Sequence, residues 1–169
     1  MFAFNPARLR AVVTGGLIAA TLLGAGLAAS AQDQSAATPG DAILARKTVM
    51  DTLSDNMDQI EAMIAANKID LADAHEHADV ISTMLMAFPH LFPPSTNQWK
   101  PGADPDPVTG TFASPDIWTK FADFYKRAND ASKTAFDMSR AEKADELKAG
   151  TAQLRTACNA CHAAYLKMQ

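Results

Sequence analysis

The chain has 169 residues, enough for one domain with a sizeable core and too few to expect two. Lys and Arg number 15 against 19 Asp and Glu, a formal charge of −4. No basic cluster stands out, which excludes nucleic acid as a partner, because phosphate binding needs a concentrated cationic surface.

Residues 1–31 read as an export signal peptide. Arg8 and Arg10 make a positive n-region, Ala11 to Ala28 is uncharged and rich in Val, Leu, Ile and Ala, and Ala29-Ser30-Ala31 fits an A-x-A cleavage site before Gln32. The alternative is an uncleaved membrane anchor, since the apolar run approaches the length of a bilayer span. Gly15, Gly16, Gly24, Gly26 and the small-residue cleavage motif favour removal. The processed protein then has 13 basic and 19 acidic residues, so the formal charge moves from −4 to −6. It is expected to be soluble, periplasmic and free of the membrane.

Residues 32–40 form a short Ser/Ala/Pro/Gly lead-in, and residues 41–169 form the domain. Four stretches of helical periodicity follow, with no alternating segment that calls for a strand. The first starts near Asp41 and repeats Ile43, Met50, Leu53, Met57, Ile60 and Ile64 at 3,4 spacing, with Arg46 as the one charged residue on the seam. Asn67-Lys68 stops it and Asp70 caps the next.

The second stretch carries Leu71, Ala74, Ala78, Ile81, Leu85 and Phe88 and ends at Pro89. From His90 to Ser114 lies a Pro- and Gly-rich segment long enough to be a crossover loop. Ser114-Pro115 starts the third stretch, with Ile117, Phe121, Phe124, Ala128, Ala131 and Ala135 on one face. Ser139 to Glu142 has capping-box spacing and is expected to open a fourth helix with the stripe Leu147, Thr151, Leu154, Cys158, Cys161, Tyr165 and Met168. Four narrow apolar seams bury best against one another, so the fold class is all-α, an antiparallel four-helix bundle.

The chemistry sits near the carboxyl end. Cys158-Asn159-Ala160-Cys161-His162 is the C-x-x-C-H attachment motif of c-type haem. A three-residue step on a helix places both sulfurs on one face, where they can add across two vinyl groups, and His162 follows at once as a ligand for the iron. A thioredoxin-type thiol pair normally lies beside a strand and opens a helix, whereas this pair is near the end of one. A zinc site needs more ligands than His75, His77 and His90 offer at finger spacing. His75 and His77 read as solvated surface residues, and His90, next to the loop, could touch haem.

With these residues in view the chain resembles the class II c-type cytochromes, the cytochrome c-prime family, from about Asp41 to Met168. The marks are Arg46 with Met50 four residues on, Leu91-Phe92-Pro93-Pro94, Ser114-Pro115-Asp116-Ile117-Trp118, and Cys158 to His162 with Tyr165. The resemblance implies one covalent haem c held by Cys158 and Cys161, iron on His162, and Arg46 reaching a haem propionate. A buried cation on an apolar seam independently calls for such an anion, unless Arg46 snorkels to solvent. Relatives usually carry an arginine right after the tyrosine; here stands Leu166, so that residue's role does not transfer. Pairing into a homodimer through the first two helices rests on the resemblance alone.

The resemblance places Met50 on the distal side of the iron. If its thioether binds, the iron is six-coordinate and low-spin, and the protein is a one-electron carrier serving an unidentified redox partner protein. If Met50 only packs, the iron is five-coordinate under an apolar lid that admits nitric oxide or carbon monoxide. Met63, Met84, Met86, Met138 and Met168 have no comparable placement. Ligation is the favoured reading, and neither reading makes the protein an enzyme.

Overall fold

The computed structural model describes residues 37–167, so the expected signal peptide and Met168 lie outside the described residues. Helix α1 spans Pro39–Ala65, α2 Leu71–Ala87, α3 Asp116–Thr119, α4 Phe121–Met138 and α5 Ala144–Tyr165. The four long helices are those expected from the periodicity, and their ends differ for local reasons.

Helix α1 begins two residues before the expected Asp41. Thr38 and Asp41 form a reciprocal capping box, with the Thr38 N–H donating to Asp41 Oδ2 (2.7 Å) and the Asp41 N–H to Thr38 Oγ1 (3.2 Å). The stop at Asn67 is as expected, with φ +50°, a left-handed conformation that asparagine tolerates. Asp70 caps α2 by accepting from the Ala72 and Asp73 N–H groups.

The expected third helix is split. Ser114 accepts from the Asp116 N–H as foreseen, but the chain leaves helical geometry at Lys120 (φ −122°, ψ 36°) and restarts as α4. The break leaves Phe121 about 40 % exposed, so it is not part of the buried face. The expected capping box at Ser139 is also absent: the Ser139 hydroxyl donates to Phe136 O, closing α4, and α5 starts at Ala144. Glu146 reaches back to the Glu142 N–H instead (3.0 Å).

Two observations give the helix directions. His75 near the start of α2 bonds the Ala141 carbonyl just past α4 (2.9 Å), while Phe88 at the other end of α2 packs on Phe124 near the start of α4. Hence α2 and α4 run antiparallel, and the tight turns at 66–70 and 139–143 reverse the other pairs. Small side chains let α2 and α4 approach: the Ser132 hydroxyl donates to the Ser82 carbonyl (2.8 Å), flanked by Ala74, Ala78, Ala131 and Ala135.

The core has two clusters. One joins Leu53, Met57, Ile60, Ile81, Leu85, Met138, Leu147 and Leu154; the other is aromatic, with Phe88, Phe92, Ile117, Phe124 and Tyr165. Val49 and Met50 are the half-buried residues of α1 that pack against both. No strand is present among the described residues, but an isolated bridge pairs Ala113 with Leu166, with the Ser114 N–H donating to Tyr165 O and the Lys167 N–H to Phe112 O (both 2.8 Å). No helix among the described residues is long and apolar enough to cross a membrane.

Candidate functional site

Helices α1 and α5 meet over little of their length, and a slot opens beside them. It has two parts, of about 390 Å³ and 110 Å³, both lined by Met50, Ser54, Phe88, Phe124, Cys161 and His162. Cys158 faces the smaller part with Leu53, Met57 and Leu154; Arg46, Phe92, Tyr165 and Leu166 line the larger. The expected site residues are therefore brought to one cavity from opposite ends of the sequence.

The thiols of Cys158 and Cys161 are free and half-buried on the last turns of α5, and His162 beside them is exposed. Burial pushes both thiols above their ordinary range, opposed by the Arg155 charge at Cys158 and the Arg127 charge at Cys161. Met57, two turns beyond Met50, also reaches the slot, while Met63, Met84, Met86 and Met138 line neither part. His90 is exposed, stacks edge-on against Tyr125 and lines neither part of the slot.

Arg46 does not snorkel. Its side chain is buried, about 4 % exposed, with Nη1 donating to Thr96 Oγ1 (2.9 Å), Nη2 to Thr111 Oγ1 (2.6 Å) and the guanidinium 4.6 Å over the Phe92 ring. No carboxylate among the described residues pairs with it, and burial lowers its pKa to about 10. A buried cation held by neutral hydroxyls beside an apolar slot is a fitted receptor for an anionic group. Both threonines belong to the crossover loop, so the long segment after α2 folds back to orient Arg46.

The sequence reading missed several charged groups on the walls. Arg155 donates from Nε and Nη2 to the two Glu61 carboxylate oxygens (2.8 and 2.7 Å) and lies 3.5 Å from Asp58. Arg127 donates from Nε to Asp123 Oδ2 (2.7 Å), and the Tyr165 hydroxyl donates to the same oxygen (2.5 Å). His75 and His77 are half-buried rather than free in solvent: His75 ties α2 to the α4–α5 turn, and His77 Nδ1 bonds Asn56 Oδ1 (2.8 Å).

Two thiols and an imidazole on one wall suit a covalently tethered haem, and a buried arginine at one end of the slot suits its anionic propionates. The comparisons agree with this geometry. A family model described as Cytochrome C' matches residues 41–166. Cytochrome c-556 of Agrobacterium tumefaciens (strain II Chrys) is 30 % identical over 123 residues, 71 % of this chain and 92 % of that protein. Among solved structures, cytochrome c' from Thermochromatium tepidum superposes with a TM-score of 0.67 at 21 % identity, covering 78 % of this chain and 98 % of that one. The nitric oxide complex of a variant of cytochrome c prime from Alcaligenes xylosoxidans gives 0.65 at 23 %, covering 78 % and 98 %. The chain belongs to the cytochrome c' family, haem proteins of electron transfer or gas binding whose members carry one covalently attached haem c with its iron.

Proposed function

We propose that the protein is an exported, periplasmic one-electron carrier in which Cys158 and Cys161 hold the haem through thioether bonds, His162 and Met50 are the axial ligands, and Arg46 pairs with a propionate. When bound, the haem supplies a one-electron ferric/ferrous couple. The observation that carries the reading is the place of Met50: of the methionines among the described residues it alone lines both parts of the slot, together with Cys161 and His162. A thioether there favours the reduced state. Phe88, Phe124 and Leu53 around it exclude water, and the two thiols fix the macrocycle so that little rearranges as charge changes. The protein passes electrons to a partner and turns over no substrate.

A second reading is favoured by the same apolar wall. Leu53, Phe88 and Phe124 offer no hydrogen bond to a distal ligand, which suits a neutral diatomic, and a solved relative is a nitric oxide complex. In that case Met50 packs and the iron is five-coordinate.

Optical spectra of the haem-bearing protein separate the two. The carrier reading expects a methionine-to-iron charge-transfer band in the far red and no response to carbon monoxide, with both features lost in Met50→Leu. A high-spin ferrous spectrum that shifts with carbon monoxide, unchanged by the substitution, would falsify ligation by Met50.

A further inference from the structure

Arg127 stands on α4, outside the attachment motif, yet it lines the slot together with Cys161 and His162. Two contacts fix its direction. Its Nε donates to Asp123 Oδ2 at 2.7 Å, and its guanidinium lies 6.0 Å over the ring of Tyr165, whose hydroxyl donates to the same carboxylate oxygen at 2.5 Å. Tyr165 comes from the last turn of α5, three residues after His162, so α5 itself clamps the α4 pair in place.

The other wall charges are differently disposed. Arg155 faces two carboxylates, Glu61 and Asp58, which offset it, and Arg46 is at the far end with Thr96 and Thr111. Lys47 reaches outward to the Pro107 carbonyl (2.8 Å), and the wall carboxylate Asp51 on the same helix is exposed to solvent. Beside His162 the wall of Ala113, Ile117 and Leu166 brings no charge. Arg127 shares its single carboxylate with a tyrosine hydroxyl, and that division leaves its own charge less offset than that of Arg155.

We infer that Arg127 is an electrostatic positioning residue for the haem on its Cys161 side, held by Asp123 and Tyr165, and that the two charges of this clamp set the reduction potential in opposite directions. The inference rests on the haem placement proposed above. A cation beside the slot favours the ferrous iron, which carries one positive charge fewer, and the neighbouring carboxylate favours the ferric.

The test is a spectroelectrochemical titration of haem-bearing Arg127→Gln, Asp123→Asn and Arg127→Lys, with the mass of each protein recorded first. Arg127→Gln is expected to lower the ferrous-to-ferric ratio at the native midpoint about three- to tenfold, tenfold being about 59 mV for one electron. Asp123→Asn should raise the ratio by a similar factor, and Arg127→Lys should restore most of the native value. High salt should shrink both displacements. The unfolding midpoint of the haem-free chain should be the same in all three, because exposed pairs of this kind contribute little to folding. Displacements in the same direction, or none, in proteins that carry the haem overturn the inference while leaving the haem placement intact. A native protein that gains no haem mass overturns the placement and this inference with it.

Discussion

On the proposed haem placement, Arg46 meets two different environments depending on whether the slot is filled. Without an anion its buried charge is supported by two threonine hydroxyls that have other partners: Thr96 donates to Pro93 O and Thr111 accepts from the Ala113 N–H. Arg46→Met is therefore expected to leave the haem-free chain equally stable or slightly more so, since a buried ion replaced by an apolar side chain is often neutral. In the haem-bearing protein the same change should cost about 1.5–3 kcal/mol, the worth of a charge-assisted hydrogen bond. Denaturant unfolding of both forms measures the difference, and equal losses in the two would make Arg46 purely structural. Met50→Leu nearly conserves volume, so it should change stability by less than about 1.5 kcal/mol; its spectral effect can thus be read without a folding confound. The thiols, His162 and Arg46 were legible in the sequence because each is a local signal: a five-residue motif, or a charge where the seam wants a hydrocarbon. Arg127 and Asp123 were not, because four apart on a helix they look like an ordinary surface pair. Tyr165, approaching from α5, bonds Asp123 and so links the pair to the slot that Arg127 lines.

At the level of elements, α4 and α5 are held by a close approach that admits no larger residue. A Cβ on Gly150 would stand 2.5 Å from Met138 Cγ, a side chain itself fully enclosed. Gly150→Ala gains up to about 1 kcal/mol of helix propensity but overpacks the interface by about 1–3 kcal/mol. A lower melting temperature is expected, with the loss recovered in a Met138→Ala background. The crossover loop has its own clasp, where Asp106 accepts from the N–H groups of Val108 and Thr109 and from the Thr109 hydroxyl. These bonds, Thr109's first, hold the Asp106 carboxyl below its usual 3.8. A depressed carboxyl stabilises the fold above the unfolded pKa, and the contribution disappears as pH falls through the lower folded value. Asp106→Ala should thus speed amide exchange at 108–111 near neutral pH, and the gap between variant and native protein should close in strong acid. Helix existence was readable from the 3,4 repeats of Leu53, Met57 and Ile60 or Leu147, Thr151 and Leu154. The break at Lys120 and the start at Ala144 were not, because the Ser139 signal has a second use in closing α4.

For the molecule as a whole, the proposed placement puts the haem where a core would otherwise be continuous. The aliphatic and aromatic clusters share only half-buried Val49 and Met50 of α1 as common neighbours, with the slot between α1 and α5. Haem-free protein is expected to keep its far-ultraviolet helical signal while losing near-ultraviolet aromatic structure, with amide exchange fastest at 46–57 and 155–165. Equal protection in the two forms would show the bundle to be complete by itself. The bundle was legible because four seams have few ways to bury, whereas the return of the loop onto Arg46 was not, since its contacts span 50 and 65 residues of sequence. The far end of that loop is gripped from two sides, by Arg46 at Thr111 and by Tyr165 and Lys167 at Ser114 and Phe112. The segment of residues 111–114 thereby ties the helix bearing Met50 to the last turn of the helix bearing His162. A change in the spacing of Met50 and His162 therefore loads this segment, in which Phe112 is the one exposed side chain.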